Sequence, residues 1–232
     1  MPTRVFPFLF LEDDMNLSPE TMRLYAVTDR ICLKSGTLLQ AVEKAIRGGA
    51  TLIQLREKQL DDSELIQQAA ELKQLCSQYG VPLIINDRAD IALKSGADGV
   101  HLGQGDMPPE QARELLGPSA IIGVSARTVE QALAAEAAGA DYLGSGAVFS
   151  TSTKGDAKPL PLPVLKDICH AVRIPVVAIG GIGEKNILEL RGCGISGVAV
   201  VSSIFGADDI ESAAKRLAAL SCEITQTKEG TR

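Results

Sequence analysis

LIINDRADIALKSGADGVHLGQGD, residues 83–106, is the stretch whose reading decides the fold. An apolar, β-branched run ends in Asn86-Asp87, a short helical stretch covers Ala89 to Lys94, and a second strand passes through Gly99 to Leu102 toward Asp106. Two strands joined by a helix lie parallel, about 5 Å apart, so Asp87 and the loop carrying Asp106 emerge at one sheet edge. Two carboxylates there suit Mg²⁺, a hard cation often held by one or two carboxylates while substrate phosphates complete its shell. The structural alternative is that Asp87 caps the next helix and Asp106 begins a Pro-containing turn, roles Asp fills often.

The same rhythm extends both ways along the chain. Strands are predicted at 23–28, 51–56, 81–86, 98–102, 120–124, 141–144, 175–179 and 195–200. Helices are predicted at 37–47, 63–79, 89–94, 109–116, 129–138, 163–171, 184–190 and 210–220. An internal repeat supports this division: GGATLIQLR, SGADGVHLG, AGADYLGSG and CGISGVAVV share a glycine at Gly49, Gly96, Gly139 and Gly194. These glycines recur at intervals of about 50 residues, the length of two strand–helix units. Eight alternating β and α units with apolar strands imply an α/β fold, a closed (β/α)8 TIM barrel, with an open doubly wound sheet as the alternative. The expected organisation is an N-terminal extension over 1–20, one barrel domain over 21–220 and a polar tail over 221–232.

Composition narrows the function. A 232-residue chain that is 45% hydrophobic, 3% aromatic and without Trp must build its core from Ala, Val, Ile and Leu. A net charge of −6 argues against nucleic acid or an anionic membrane as partner, so an anionic small molecule must be met by a local cluster of donors. Five cysteines without CxxC spacing read as reduced thiols in a cytoplasmic protein, and two histidines make a Cys/His zinc site improbable. The apolar run VFPFLFL, residues 5–11, is too short to span a bilayer and is expected to pack on the domain or on a second subunit.

In a barrel the chemistry lies at the C-terminal strand ends. Gln54, Arg56 and Lys58 of QLREK alternate and leave the second strand on one face, a fork and a point charge suited to a diphosphate; a surface ion pair of Arg56 with Glu57 or Asp61 is the alternative. Asn86 and Asp87 follow the third strand, Gln104 and Asp106 the fourth, and Ser125 the fifth. The loop after the sixth holds Thr151, Ser152, Thr153 and Lys154, and could close over a phosphate. Gly180-Gly181 and Val201-Ser202 follow the last two strands, where barrels often bind a second phosphate through glycine turns and a helix N-terminus. His101 either faces the mouth or is a hydrogen-bonded core residue, and His170 stands at a helix C-terminus.

Taken together, QLREK, INDR, DGVHLGQGD, GVS, GADYLGSGAVFSTSTK, AIGGI and VAVVSSI resemble the thiamine-phosphate synthase family from about Leu24 to Leu220. That resemblance implies an enzyme joining a hydroxymethylpyrimidine diphosphate to a thiazole phosphate, with pyrophosphate lost first and no nucleophilic residue needed. It implies Mg²⁺ as cofactor on Asp87 and Asp106, and the diphosphate on Arg56, Lys58, Asn86, Ser125 and Lys154, of which Arg56, Ser125 and Lys154 are catalytic. Gln54 would meet the pyrimidine, and Thr151, Ser152, Thr153, Gly181, Val201 and Ser202 the thiazole phosphate; relatives also suggest a homodimer. Ala147 and Ser150 stand where Pro is frequent in relatives, and Arg127 where a smaller residue is usual. A thiazole tautomerase on this fold would not need the full set of Asp87, Asp106, Arg56, Lys58 and Lys154.

Overall fold

The computed structural model describes residues 17–151 and 159–226. Among them, eight parallel strands close into a barrel: β1 (Leu24–Val27), β2 (Leu52–Leu55), β3 (Leu83–Asn86), β4 (Gly99–Leu102), β5 (Ile121–Ser125), β6 (Tyr142–Gly146), β7 (Val176–Ile179) and β8 (Gly197–Val200). Closure, open in the sequence, is made by β1 on β8, with Leu24 opposite Val198 and Ala26 opposite Val200. The outer ring holds α1 (Leu38–Arg47), α2 (Asp62–Gln78), α3 (Ala89–Ser95), α4 (Pro109–Leu116), α5 (Val129–Ala137), α6 (Leu162–Ala171), α7 (Ser202–Phe205) and α8 (Ile210–Thr225).

Local chemistry fixes where the helices begin. Thr37 with Gln40 and Asp61 with Glu64 form capping boxes on α1 and α2, each satisfying two N–H groups that the helix cannot. Gly80 and Gly96 follow the ends of α2 and α3 at φ of 65° and 68°, where a side chain would be strained. The sequence repeat has a physical basis at the lower rim. Thr51, Asp98 and Asp141 occupy the same repeat position, and each accepts a hydrogen bond from a backbone N–H of the preceding strand: Leu24 at 2.9 Å, Leu83 at 2.8 Å and Ile122 at 2.6 Å. Lys73 and Arg113 hold the two aspartates from outside, at 2.6 and 2.7 Å. Strands are thus locked in consecutive pairs.

Three expectations change. The helix expected at 184–190 is a single 3₁₀ turn, Ile187–Leu190, entered through the Asn186 side chain, which accepts from Gly183 N and donates to the Gly181 carbonyl. The last helix continues to Thr225, because Ser221 is buried with its hydroxyl on the Arg23 carbonyl and Ile224 is buried one turn on; residues 221–225 therefore belong to the barrel. Below the barrel, Leu17 packs on the interior cluster and Met22 is fully buried in it, so the N-terminal boundary falls before residue 20. VFPFLFL lies outside the described residues.

The interior holds Met22, Tyr25, Leu52, Ile84, Ile121, Tyr142, Val177 and Ala199. Room for the large rings comes from glycine: a Cβ at Gly123 would lie 2.1 Å from Tyr142 Cζ, and one at Gly144 2.9 Å from His101 Cε1. Burial holds the Tyr25 and Tyr142 phenols above the usual tyrosine range and pushes the Cys76 and Cys169 thiols up to about 12. In the unfolded chain these thiols ionise near 9. Above that pH the folded chain therefore holds more protons than the unfolded one, so the stability present below about pH 9 is lost as pH rises toward about 12. The urea midpoint is expected to fall steadily from about pH 8 to about pH 11, and less steeply in Cys76→Ala; a level midpoint would contradict the assignment.

Candidate active site

One cavity of about 210 Å³ opens at the C-terminal ends of the strands. Nine residues expected from the sequence line it: Gln54, Arg56, Asn86, Asp87, Ser125, Thr151, Gly181, Val201 and Ser202. Lys58 stands at the rim, its Nζ 2.6 Å from Asp87 Oδ2. Ser152, Thr153 and Lys154 lie outside the described residues. Arg56 pairs with Asp29 at 4.0 Å, not with Glu57 or Asp61, because Glu57 is taken by Arg30 at 3.0 Å.

Asp87 is held in an unusual conformation, φ 64°, a region that Asp and Asn tolerate better than other side-chain-bearing residues. Its N–H donates to the His101 carbonyl at 2.8 Å, and its Oδ1 accepts from Asn86 Nδ2 at 2.7 Å. Next to it, Arg88 reaches away from the mouth and clasps Asp90 and Asp62, which hold it in its charged form. The clasp joins the starts of α2 and α3 and fixes the peptide that turns Asp87 inward. Asp87 does not cap α3, whose N-cap position is Arg88. Asp106 is exposed, and its Oδ2 accepts from Gly103 N at 2.6 Å, closing the turn after β4. The turn reading of Asp106 is thus realised, and Asp106 is not among the residues that line the cavity.

Whether a hard cation fits can be judged from the donors. Among the described residues no three of His, Cys, Asp and Glu stand together as a ligand cluster. Asp87 and Asp106 offer oxygen only, and both ring nitrogens of His101 are engaged elsewhere. Carboxylate oxygen is the donor type of a cation that draws its remaining oxygens from substrate and water, as Mg²⁺ does.

On the opposite wall, Gly180 and Gly181 have φ of 101° and 65°. A Cβ at Gly180 would fall 2.4 Å from Ala147 Cβ, and one at Gly181 2.4 Å from the Ser150 carbonyl. Their absence lets the loop after β6 lie directly on the end of β7, where Val148 N and Phe149 N donate to Ile179 and Gly180. Arg127 also lines the cavity, with Nη1 on the Gly146 carbonyl at 2.5 Å.

Sequence reasoning missed Tyr25 and Tyr142. Their hydroxyls meet at 2.8 Å on the barrel axis. Gln54 Nε2 donates to Tyr25 at 2.5 Å, Tyr142 contacts His101 Nδ1 at 3.0 Å, and His101 Nε2 contacts Ser125 Oγ at 3.0 Å. His101 therefore faces the mouth and is hydrogen-bonded as well. The available signal was a tyrosine two residues before an inward Val27 in a chain with only three tyrosines. Ser125 and His101 form a pair that the sequence does not reveal, but the third member is a phenol and not a carboxylate, so no triad is completed.

A closed parallel barrel with a polar, glycine-walled cavity at its strand ends defines a (β/α)8-barrel enzyme of small molecules. The family model described as thiamine monophosphate synthase matches residues 24–204. The thiamine-phosphate synthase of Clostridium acetobutylicum is 52% identical over 193 residues, 83% of this chain and 92% of that one. That of Ruminiclostridium cellulolyticum is 52% identical over 194 residues, 84% and 92% of the two chains. Among solved structures, thiamine phosphate pyrophosphorylase from Pyrococcus furiosus superposes with a TM-score of 0.82 at 42% identity, covering 89% of this chain and 98% of that one. The chain belongs to the thiamine monophosphate synthase family.

The conformation of Asp87 separates its backbone role from its chemistry. Asp87→Ala is expected to lose about 1–2 kcal/mol more stability than Asp87→Asn, since Asn tolerates the left-handed region and Ala does not. Urea unfolding of the two variants measures this, and equal midpoints would contradict it.

Proposed function

We propose that this chain is a Mg²⁺-dependent thiamine-phosphate synthase, joining 4-amino-2-methyl-5-(diphosphooxymethyl)pyrimidine to thiazole phosphate, or its carboxylate, with release of pyrophosphate. The observation that carries the reading is the gathering of Gln54, Arg56, Asn86, Asp87, Ser125, Thr151, Gly181, Val201 and Ser202 on one cavity in a chain of this family.

Arg56, Lys58, Asn86 and Ser125, with Lys154, bind the diphosphate, where a guanidinium fork and ammonium groups meet charge that grows as the leaving group departs. The C–O bond to the methylene breaks with its electron pair on pyrophosphate, and the thiazole nitrogen forms the new bond to that carbon. Thr151, Ser152, Thr153, Gly181, Val201 and Ser202 hold the thiazole phosphate, with hydroxyl and backbone N–H groups as donors. Anchoring both anions keeps nitrogen and methylene within reach and lowers the entropic barrier. Mg²⁺, when held by Asp87 and Asp106, would supply further neutralisation of the pyrophosphate. Ser125 acts as a donor to the anion and not as a nucleophile.

Cytoplasmic location and a homodimer are part of the same proposal. In favour of the first, all five cysteines are free thiols and no helix among the described residues is long and apolar enough to cross a membrane.

The test is a coupling assay with the pyrimidine diphosphate, thiazole phosphate and Mg²⁺, following thiamine phosphate as fluorescent thiochrome. Product that disappears with EDTA and returns with Mg²⁺ is expected; undiminished activity in chelated buffer would sink the metal assignment. Lys154→Ala is expected to lower kcat by about 10²-fold, the scale for one preorganised electrostatic group. Near-normal kcat in that folded variant would remove Lys154 from the catalytic set.

A further inference from the structure

Gln54, Tyr25, Tyr142, His101 and Ser125 form one unbroken hydrogen-bond chain across the barrel, contributed by β2, β1, β6, β4 and β5. Tyr25, Tyr142 and Gln54 are buried, at 1%, 0% and 5% exposure. Burial keeps both phenols protonated, so each hydroxyl has one proton to give. That restriction makes the chain directional. If Gln54 Nε2 donates to Tyr25, then Tyr25 must donate to Tyr142, and Tyr142 to His101 Nδ1. The imidazole proton then sits on Nε2 and points at Ser125 Oγ, leaving the serine hydroxyl to donate elsewhere. Reversing any link with a neutral imidazole reverses all of them, turns the Gln54 amide over and ties the Ser125 proton to His101.

Both ends of the chain select the same direction. At Ser125 an arriving phosphate oxygen needs a donor, which only the first direction offers. At Gln54 the first direction turns Oε1 away from Tyr25, and Gln54 lines the cavity. A carbonyl there accepts from an exocyclic amino group and opposes a ring oxygen.

We propose that this chain runs with one polarity, from Gln54 to Ser125, and that Tyr25, Tyr142 and His101 are positioning residues: they present the Gln54 carbonyl to the amino group of the pyrimidine and the Ser125 proton to its diphosphate. The inference deepens the proposed function and rests on it for the chemistry at the two ends. It also explains why the Ser125–His101 pair does not generate a nucleophile, since an imidazole already protonated on Nε2 cannot take the serine proton.

Two measurements test it. With only two histidines, long-range ¹H–¹⁵N spectra can be assigned using His170→Gln. The expected His101 signature at neutral pH is a neutral ring protonated on Nε2, altered in Tyr142→Phe; a ring protonated on Nδ1, or an imidazolium, would overturn the polarity. In calorimetry, the wild-type chain is expected to bind the 4-amino pyrimidine diphosphate about 10²-fold or more tightly than its 4-oxo analogue, because a wrong partner leaves polar groups unpaired. Tyr25→Phe keeps the ring but frees the amide to rotate, and should shrink that ratio about tenfold or more; an unchanged ratio would overturn the positioning role. If neither diphosphate binds, the proposed function fails and the specificity role with it, while the tautomer still decides the direction of the chain.

Discussion

Two phenol hydroxyls meet at the centre of the barrel, out of reach of bulk water, and each must be hydrogen-bonded to be tolerated there. Much else in the interior follows from that requirement. Below the pair, Met22, Leu52, Ile121 and Val177 form a dry floor. Above it, Gln54 and His101 take up the remaining hydrogen-bonding capacity, and the barrel turns polar within one layer of side chains. Gly123 and Gly144 are part of the same solution, because any side chain at either would occupy the space of Tyr142 or His101. The hydroxyl pair is thus the boundary between core and candidate site, built from residues of both.

The two rims of the barrel are constructed differently. At the lower rim the repeat positions Thr51, Asp98 and Asp141 each hold a neighbouring strand by its backbone, and Lys73 and Arg113 brace the aspartates. Positive φ occurs at both rims, but at the lower rim it falls on glycines that follow helices, such as Gly80 and Gly96, whereas at the upper rim it falls on Gly180, Gly181 and also on Asp87, which carries a side chain. The lower rim is braced by side chains on backbone, and, among the described residues, the one side-chain-bearing residue in the left-handed region stands at the upper rim, where barrels of this kind carry their chemistry.

That division also governs what the sequence reveals. Strands and helices were legible because continuous apolar, β-branched runs, buried on both faces in a parallel barrel, and apolar residues at helical spacing are local signals. The helix expected at 184–190 failed because Asn186 turns its side chain back on Gly181 and Gly183, a choice made by the chain behind it. The extension of α8 was hidden by polar residues whose burial depends on Arg23, far away in sequence. In the site, strand-end positions were readable from the barrel alone, but side-chain direction was not. Asp106 turns its carboxylate toward Gly103, Arg56 finds Asp29, and Tyr25 and Tyr142 join across the axis only after the barrel has closed.

Closure also brings cations of an acidic chain together at one mouth. Two of these cations are held beside carboxylates, Lys58 by Asp87 and Arg56 by Asp29, while Arg127 reaches the Gly146 carbonyl, so the carboxylates offset part of the positive charge gathered there. Such pairs, partly open to water, are worth no more than about 1 kcal/mol each. In the proposed function an arriving polyphosphate would offer shorter, charge-assisted and bidentate hydrogen bonds to the same groups, stronger than the pairs it replaces. In the proposed reaction the carboxylates aim the cations without holding them back, and Lys58, on turning to the phosphate, would release Asp87 Oδ2. The Asn86 amide, on Asp87 Oδ1 at 2.7 Å, and the bond from Asp87 N–H to the His101 carbonyl at 2.8 Å would keep that carboxylate in place through the exchange.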